Sequence, residues 1–399
     1  MPEPLTVVGI GADGWASVPS FLQETVVRAD VLLGAPRTLA LLQPVEGRLD
    51  VPWPSPLREG LRALLEQHAG RRVVALATGD PLVSGIGSTL IALLGSDRVV
   101  VHPGVSSVAL SRARMGWSAE SSVVVSLVGR DPHAVLRELA PERRIVALSS
   151  DETTPAELAR LLVEAGHGAS RMTVLGDLGA ASESRTDGTA ATWQVDSPRL
   201  NVVAIEVDGP GTSWAPGLPD DAYENDGQLT KRDLRASALA RLAPMPGQLL
   251  WDVGAGAGSV GIEWMRAHPT CRTVAVESDA ERAARIGRNA ASLGVPSLTV
   301  VTGAAPEALE GLEAPDAIFV GGGATRPRVM HTCLAALRPG GRLVVHGVTL
   351  ETESLLAKLH EHHGGELTRI SVETAAPIGT FTGWTPARAV TQWALTHRD

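Results

Sequence analysis

The stretch Asp252-Val253-Gly254-Ala255-Gly256-Ala257-Gly258 follows an apolar run, Leu249-Leu250-Trp251, and sets three glycines at alternate positions. A buried strand that ends in such a turn and restarts as a helix forms the ligand crevice of an open α/β sheet. Glycine is required there because a β-carbon would hold the ligand off the backbone. Glu277 closes the next β-branched run, Thr273 to Val276, roughly 20 residues after the last glycine, where a carboxylate accepts hydrogen bonds from both hydroxyls of a ribose. Loop and carboxylate together call for a nucleoside cofactor. Gly256, Gly258 and Gly261 also satisfy G-x-G-x-x-G, so a dinucleotide oxidoreductase is the rival reading. Asp252 favours a methyl donor of the S-adenosylmethionine type: a carboxylate ahead of the first glycine can organise the loop and the amino-acid end of the ligand, whereas pyrophosphate prefers an uncluttered helix N-terminus.

A second set of turns lies in the other half. Gly9-Ile10-Gly11-Ala12-Asp13-Gly14 is a weak signal alone. Leu76-Ala77-Thr78-Gly79-Asp80-Pro81-Leu82 begins as a buried strand and turns sharply at Gly79 and Pro81, and His102-Pro103-Gly104-Val105-Ser106-Ser107 turns the same way after the next strand. No Ser/His/Asp triad is evident, so no residue is assigned as catalytic, and no metal is expected. Cys271 and Cys333 stand far apart without metal-ligand spacing and read as free thiols in a reducing cytoplasm.

These turns need strands and helices to hold them. The chain has 399 residues, 44% of them hydrophobic and 20% charged, which is long enough for two cores. β-branched runs alternate with Ala- and Leu-rich stretches throughout, the pattern of βαβ units around mainly parallel sheets. The Pro- and Gly-rich run Asp208 to Pro219 breaks every periodicity, so a linker is placed at 208–222, between domains at 1–207 and 223–399. In the first domain, two groups of strands, from Leu5 to Val101 and from Val123 to Val207, predict two subdomains with a cleft. In the second, strands near 249–253, 273–277, 298–301, 317–320 and 343–346 precede a terminal pair near Leu367 to Thr374 and Arg388 to Trp393 that suits a hairpin. Thr230 and Asp233 have capping-box spacing and predict a helix start at Thr230. A net charge of −9 disfavours nucleic-acid binding and suits a small-molecule partner. The apolar start lacks a basic leader and no long apolar run follows, so a cytoplasmic protein off the membrane is expected.

Gly227-Gln228-Leu229-Thr230-Lys231-Arg232, the glycine loop, Glu277, Gly303 to Leu309 and Phe319-Val320-Gly321-Gly322-Gly323 together resemble the carbon 15 methyltransferase domain of corrin biosynthesis, over residues 223–399. The loops of the other half, with Gly34-Ala35-Pro36-Arg37, resemble the tetrapyrrole methylase family, in its corrin carbon 5 branch, over residues 5 to about 207. In that combination the chain is similar to the decarboxylating precorrin-6B C5,15-methyltransferases. The resemblance implies a two-subdomain tetrapyrrole methylase fold followed by a Rossmann-like, seven-stranded class I methyltransferase domain. It also implies one S-adenosylmethionine per domain, a precorrin substrate and a homo-oligomer. Carried over residue by residue, cofactor contacts fall on Gly9, Gly11, Gly79, Asp80, Leu82, Ser106 and Ser107 in the first domain. In the second they fall on Thr230, Asp252, Gly254, Ala255, Gly256, Ala257, Gly258, Glu277, Ala304 and Ala305. Ala304 departs from the acidic residue that many related sites set beside the adenine.

By the same resemblance the first domain methylates carbon 5, and the second methylates carbon 15 and decarboxylates the acetate on carbon 12, giving precorrin-8. Cobalt-loaded precorrins are the alternative substrates. A methyl sulfonium meeting an electron-rich enamine carbon needs alignment and dryness more than acid–base groups. The substrate's many carboxylates require local cations, for which Arg112 and Arg114 are candidates at the first site and Lys231, Arg232, Arg326 and Arg328 at the second. Gly321, Gly322 and Gly323 leave room there for a macrocycle.

Overall fold

The computed structural model describes residues 4–397. The chain forms two compact units, Met1–Pro132 with Ala140–Pro210 and His133–Leu139 with Gly211–Asp399. In the first unit β1 (Leu5–Ile10), α1 (Ser20–Val27), β2 (Val31–Gly34), α2 (Pro36–Leu39), β3 (Leu49–Pro52), α3 (Leu57–Gln67), β4 (Val73–Thr78), α4 (Ile86–Leu94) and β5 (Val99–His102) alternate along the chain. The strands make one parallel sheet in the order β3-β2-β4-β1-β5. Neighbouring residues of a strand point to opposite faces. Val7 accordingly packs with Leu33, Leu61 and Leu90, while Val8 packs with Leu22, Val26 and Leu32. Both faces of the inner strands β1, β2 and β4 are covered, which is why they read as nearly unbroken apolar runs.

Helix α5 (Ser107–Met115) leads to a second sheet of β6 (Val123–Ser126), β7 (Arg144–Leu148), β8 (Arg171–Gly176), β9 (Ser184–Thr189) and β10 (Asn201–Glu206), with α6 (Thr154–Glu164) between β7 and β8. Its order is β6-β7-β10-β8-β9, with β6 parallel to β7 and the other pairings antiparallel. The two expected subdomains are these two sheets. Short β3 and polar β9 (Ser-Arg-Thr-Asp-Gly-Thr) were not expected; both are edge strands, β3 of only four residues and β9 without apolar side chains.

The second unit runs α7 (Arg232–Leu242), β11 (Leu249–Val253), α8 (Ser259–Ala267), β12 (Arg272–Glu277), α9 (Ala280–Ser292), β13 (Thr299–Thr302), β14 (Ala317–Val320), α10 (Val329–Ala336), β15 (Arg342–Gly347) and α11 (Leu350–His363). It ends in β16 (Glu366–Ile370), β17 (Glu373–Ile378), β18 (Phe381–Pro386) and β19 (Val390–Thr396). Seven strands form one sheet, β13-β12-β11-β14-β15-β19-β16, parallel as far as β15 and antiparallel at β19 and β16. The strand order reverses beside β11, and that switch point opens the crevice above its C-terminal end.

Three expectations are corrected here. The last strands are not a hairpin of Leu367 to Thr374 with Arg388 to Trp393: β16 and β19 do pair, with Leu367 opposite Trp393, but a separate hairpin of β17 and β18 fills their connection. Helix α7 begins at Arg232 behind an extended Lys231 that makes no side-chain cap, so Thr230 stands before the helix rather than at its N-cap. The run placed as a linker is anchored at its far end: Leu218 is buried in the second unit's core, and the Gly217 and Leu218 amides donate to Glu263 at 2.6 and 2.9 Å. Among the described residues, no helix is long and apolar enough to cross a membrane.

Candidate active site

In the second unit, Gly254, Gly256 and Gly258 hold φ of 67°, 60° and 76°, the left-handed region that glycine tolerates. A β-carbon on Gly254 would stand 2.8 Å from the Gly322 carbonyl oxygen, and one on Gly256 would stand 2.6 Å from that of Gln228. The turn is therefore locked against two other loops. Gly254 and Ala255 donate to the Val276 carbonyl at 2.9 and 3.2 Å, Ala257 donates to Gln228 at 3.1 Å, and Gly321 donates to Val253 at 2.9 Å.

Glu277 is 5% exposed and stitches this turn to the next one, accepting from the Gly256 amide at 2.9 Å and the Asp279 amide at 3.0 Å. Asp252 is buried beneath the loop and accepts from the Gly261 amide at 2.9 Å, which fixes the start of α8. Burial pushes its carboxyl up to about 7, and the charge of Glu277 adds to the shift. Asp252 thus organises the turn from behind, and Glu277 is the carboxylate on the crevice wall.

A cavity of about 820 Å³ opens over these strand ends. Thr230, Gly254, Ala255, Gly256, Glu277, Ala304 and Ala305 line it, as do Gly321, Gly322 and Gly323. Ala257 and Gly258 lie just behind, Ala257 in the core and Gly258 packed on Ile286. The cradle fits a nucleoside: bare backbone at Gly254 to Gly256, a carboxylate at the adjoining strand end, and small Ala304 and Ala305 in place of bulk. Lys231, Arg232 and Arg326 also line the cavity. Arg328 does not; it caps α10 at φ 67° and is engaged by Glu307 at 2.9 Å. Arg388, which the sequence reading missed, joins the cationic wall from just ahead of β19, and His346, near the end of β15, lines the cavity as well.

The loop bearing Thr230 is held from inside. Arg235 is fully buried, donates from Nε to Glu263 at 2.6 Å and from its other nitrogens to the carbonyls of Thr230 and Leu218. Glu263 also accepts from Tyr223 at 2.9 Å, and the guanidinium lies 4.8 Å from the Tyr223 ring centre. Burial raises the Tyr223 hydroxyl well above its usual value, so it stays a donor. Breaking such a buried pair costs about 3–5 kcal/mol. No sequence motif announced this network; a buried Arg one turn into a helix looks like any surface Arg.

In the first unit three turns meet backbone to backbone. A β-carbon on Gly9 would lie 2.1 Å from the Gly79 oxygen and 2.3 Å from the Gly104 nitrogen. Gly79, at φ 59°, donates to Ile10 at 2.8 Å, and Gly104 donates to Gly79 at 3.1 Å. A cavity of about 300 Å³ adjoins them, lined by Gly11, Gly79 and Ser107 among the expected residues. Gly9, Asp80, Leu82 and Ser106 shape its loops instead: the Asp80 carboxylate accepts from the Leu82 amide at 2.9 Å, and Ser106 caps α5 through Ala109 at 3.1 Å. Arg112 and Arg114 sit in the last turn of α5, bound to Ser122 and Glu183, and neither lines the cavity. Arg37 does, held by the Thr78 hydroxyl at 3.0 Å.

Residues 4–193 match the family model of tetrapyrrole (corrin/porphyrin) methylases, and residues 221–397 match that of the precorrin methyltransferase domain. The cobalt-precorrin-7 C(5)-methyltransferase of Salmonella typhimurium is 34% identical over 50% of this chain and 98% of its own length. The probable cobalt-precorrin-6B C(15)-methyltransferase (decarboxylating) of Saccharolobus solfataricus is 31% identical over 34% of this chain and 72% of its own. A precorrin-6Y C(5,15)-methyltransferase [decarboxylating] of Mycobacterium tuberculosis is 45% identical over 99% of this chain and 100% of its own length. Matched along its whole length and in both halves, the chain belongs to the family of decarboxylating precorrin-6Y C(5,15)-methyltransferases.

Proposed function

We propose that this chain methylates a precorrin of the precorrin-6 stage at carbons 5 and 15 and removes the carboxyl of the carbon 12 acetate, with one S-adenosylmethionine site in each unit. The observation that carries this reading is the presence of two separate glycine-built crevices at strand ends, one per unit. Single-activity relatives named for carbon 5 and carbon 15 support the same division. Bound S-adenosylmethionine supplies an electrophilic methyl group on a sulfonium.

The chain's own part is alignment. Gly254 to Gly256 let the ligand approach the backbone, Glu277 accepts from a ribose, and exposed Lys231, Arg232, Arg326 and Arg388 face a polycarboxylate. Methylation at carbon 15 leaves the macrocycle a cationic conjugated imine, which takes up the electron pair released by decarboxylation, so no separate decarboxylase cofactor is needed. A homo-oligomer in the cytoplasm completes the reading; β17–β18 exposes Phe381 and Trp384 at 80% and 70%, apolar surface that a second copy would cover. Incubation of the whole chain with S-adenosylmethionine and either metal-free or cobalt-loaded precorrin is the test. Two methyl groups gained and one CO2 lost per product are expected. A product with one methyl group, or with its carboxyl retained, contradicts the reading.

A further inference from the structure

His346 is the penultimate residue of β15, on the half of the sheet away from Glu277, and lies on the cavity wall with only 9% of its surface exposed. Phe319 of β14 packs edge-on against its ring, 5.0 Å between centres. Buried Val390 and, opposite it on β16, half-buried Ile370 line the cavity from the strands that follow β15 in the sheet. The cations Lys231, Arg232, Arg326 and Arg388 stand instead at exposed positions on the wall. One cavity thus offers a carboxylate two kinds of seat, an exposed charged rim and a largely buried imidazole.

The tautomer of that imidazole is set by its neighbour. The Gln392 amide oxygen faces Arg241, accepting from Nε at 3.0 Å and Nη1 at 3.2 Å, and its nitrogen donates to His346 Nε2 at 2.9 Å. The reverse orientation would set the amide hydrogens against those of the guanidinium. Arg241 is itself paired with Glu366. Since Nε2 accepts, a neutral ring carries its hydrogen on Nδ1, the nitrogen left for a ligand. Burial, with the charge of Arg241 beside it, brings the ring down to about 4, so it stays neutral at ordinary pH.

Resting on the proposed function, we infer that His346 is the seat of the acetate that loses CO2: its Nδ1–H holds that carboxylate as a neutral donor, while the rim cations hold the carboxylates that are retained. A cation adds the attraction of a full opposite charge to the hydrogen bond it donates, and a neutral imidazole does not. A cation would therefore stabilise the carboxylate against leaving, whereas a neutral, largely buried donor orients it and leaves it reactive. In the step itself, the bond between the acetate methylene and the carboxyl carbon breaks, and its electron pair neutralises the cationic macrocycle left by methyl transfer. CO2 departs, and the exocyclic methylene becomes a methyl group by taking up a proton as the ring releases one. His346 neither gains nor loses a proton.

The test compares the whole wild-type chain with His346→Leu and His346→Asn, counting carbon 15 methyl groups and CO2 and measuring S-adenosylmethionine affinity by calorimetry. His346→Leu should keep the affinity yet release CO2 roughly fivefold or more slowly per methyl transferred, with the methylated, carboxyl-retaining macrocycle accumulating. His346→Asn, whose amide can donate from the Nδ1 position, should restore most of the release. One CO2 per methyl at the normal rate in His346→Leu, or no recovery in His346→Asn, overturns the inference. So does nitrogen NMR of the wild-type chain showing His346 protonated on Nε2, a readout that needs no folded variant at low yield. A wild-type chain that methylates without releasing CO2 overturns the proposed function along with it.

Discussion

At the ends of β1, β4 and β5, backbone meets backbone: Gly9, Gly79 and Gly104 touch one another, and the nearby Asp80 and Ser106 side chains bond their own loops. At the ends of β11 and β12, two carboxylates do the joining, with Asp252 behind the turn and Glu277 across it. The first crevice is a shape made by the main chain, so a side chain added to a glycine is the way to destroy it. The second is a shape plus a charge, and removing a carboxylate takes away both the charge and the hydrogen bonds by which it holds the turn.

The largest expected effects come from the glycines. Gly256→Arg should abolish carbon 15 methylation and CO2 release, because even a β-carbon there meets the Gln228 carbonyl, and should leave carbon 5 methylation wherever the first unit accepts the undecarboxylated macrocycle. Gly79→Arg should spare CO2 release and give a product lacking only the carbon 5 methyl. Mass spectrometry separates the two. CO2 release that persists in folded Gly256→Arg without carbon 15 methylation would refute the electron-sink coupling.

A smaller effect separates the buried carboxylate from the rest. Asp252 sits at about 7 when folded against an ordinary 3.8, so the native state holds a proton there that the unfolded chain has lost. Its contribution to stability is fully present below the unfolded value and is lost as pH rises through about 7. Asp252→Asn keeps an oxygen for the Gly261 amide and removes the titration. Denaturant unfolding should show the wild-type chain losing a few kcal/mol relative to the variant between pH 4 and pH 8; parallel curves would show that Asp252 does not titrate there.

The smallest effect is on binding. Glu277→Ala in a Gly79→Arg background, which leaves only the second site, should weaken S-adenosylmethionine by roughly tenfold or more, as expected for loss of a charged acceptor worth about 1.5–3 kcal/mol. Unchanged affinity by calorimetry would remove Glu277 from the ribose.

How much of this was legible follows from where each signal lives. Glycines at turns and a carboxylate at a strand end are local constraints, and Gly254, Gly256 and Glu277 stand on the cavity as the spacing implied. Parallel strands buried on both faces announce themselves as apolar runs. Strands β9, β17 and β18 do not, because their partners supply the pairing while both faces stay largely wet. Arginine is the hardest residue to read. Arg114, Arg326 and Arg235 look alike in sequence, yet one is tied to Glu183, one stands on the cavity and one is fully buried, and the difference lies in contacts up to 69 residues away along the chain.

Glu263 accepts from Gly217, Leu218, Tyr223 and Arg235 at once, and this has a consequence for amide exchange with heavy water. Exchange at Gly217 or Leu218 requires the amide to leave a buried carboxylate that is also the partner of a fully buried guanidinium. Local fraying cannot achieve that, so these two amides, in a run rich in proline and glycine, should exchange only as slowly as those of central strand β11. Gly209 and Gly211, a few residues earlier, have no such anchor among the described residues and should exchange within seconds to minutes. A sharp step in protection between Gly211 and Gly217 would mark where the second unit's cooperative structure begins.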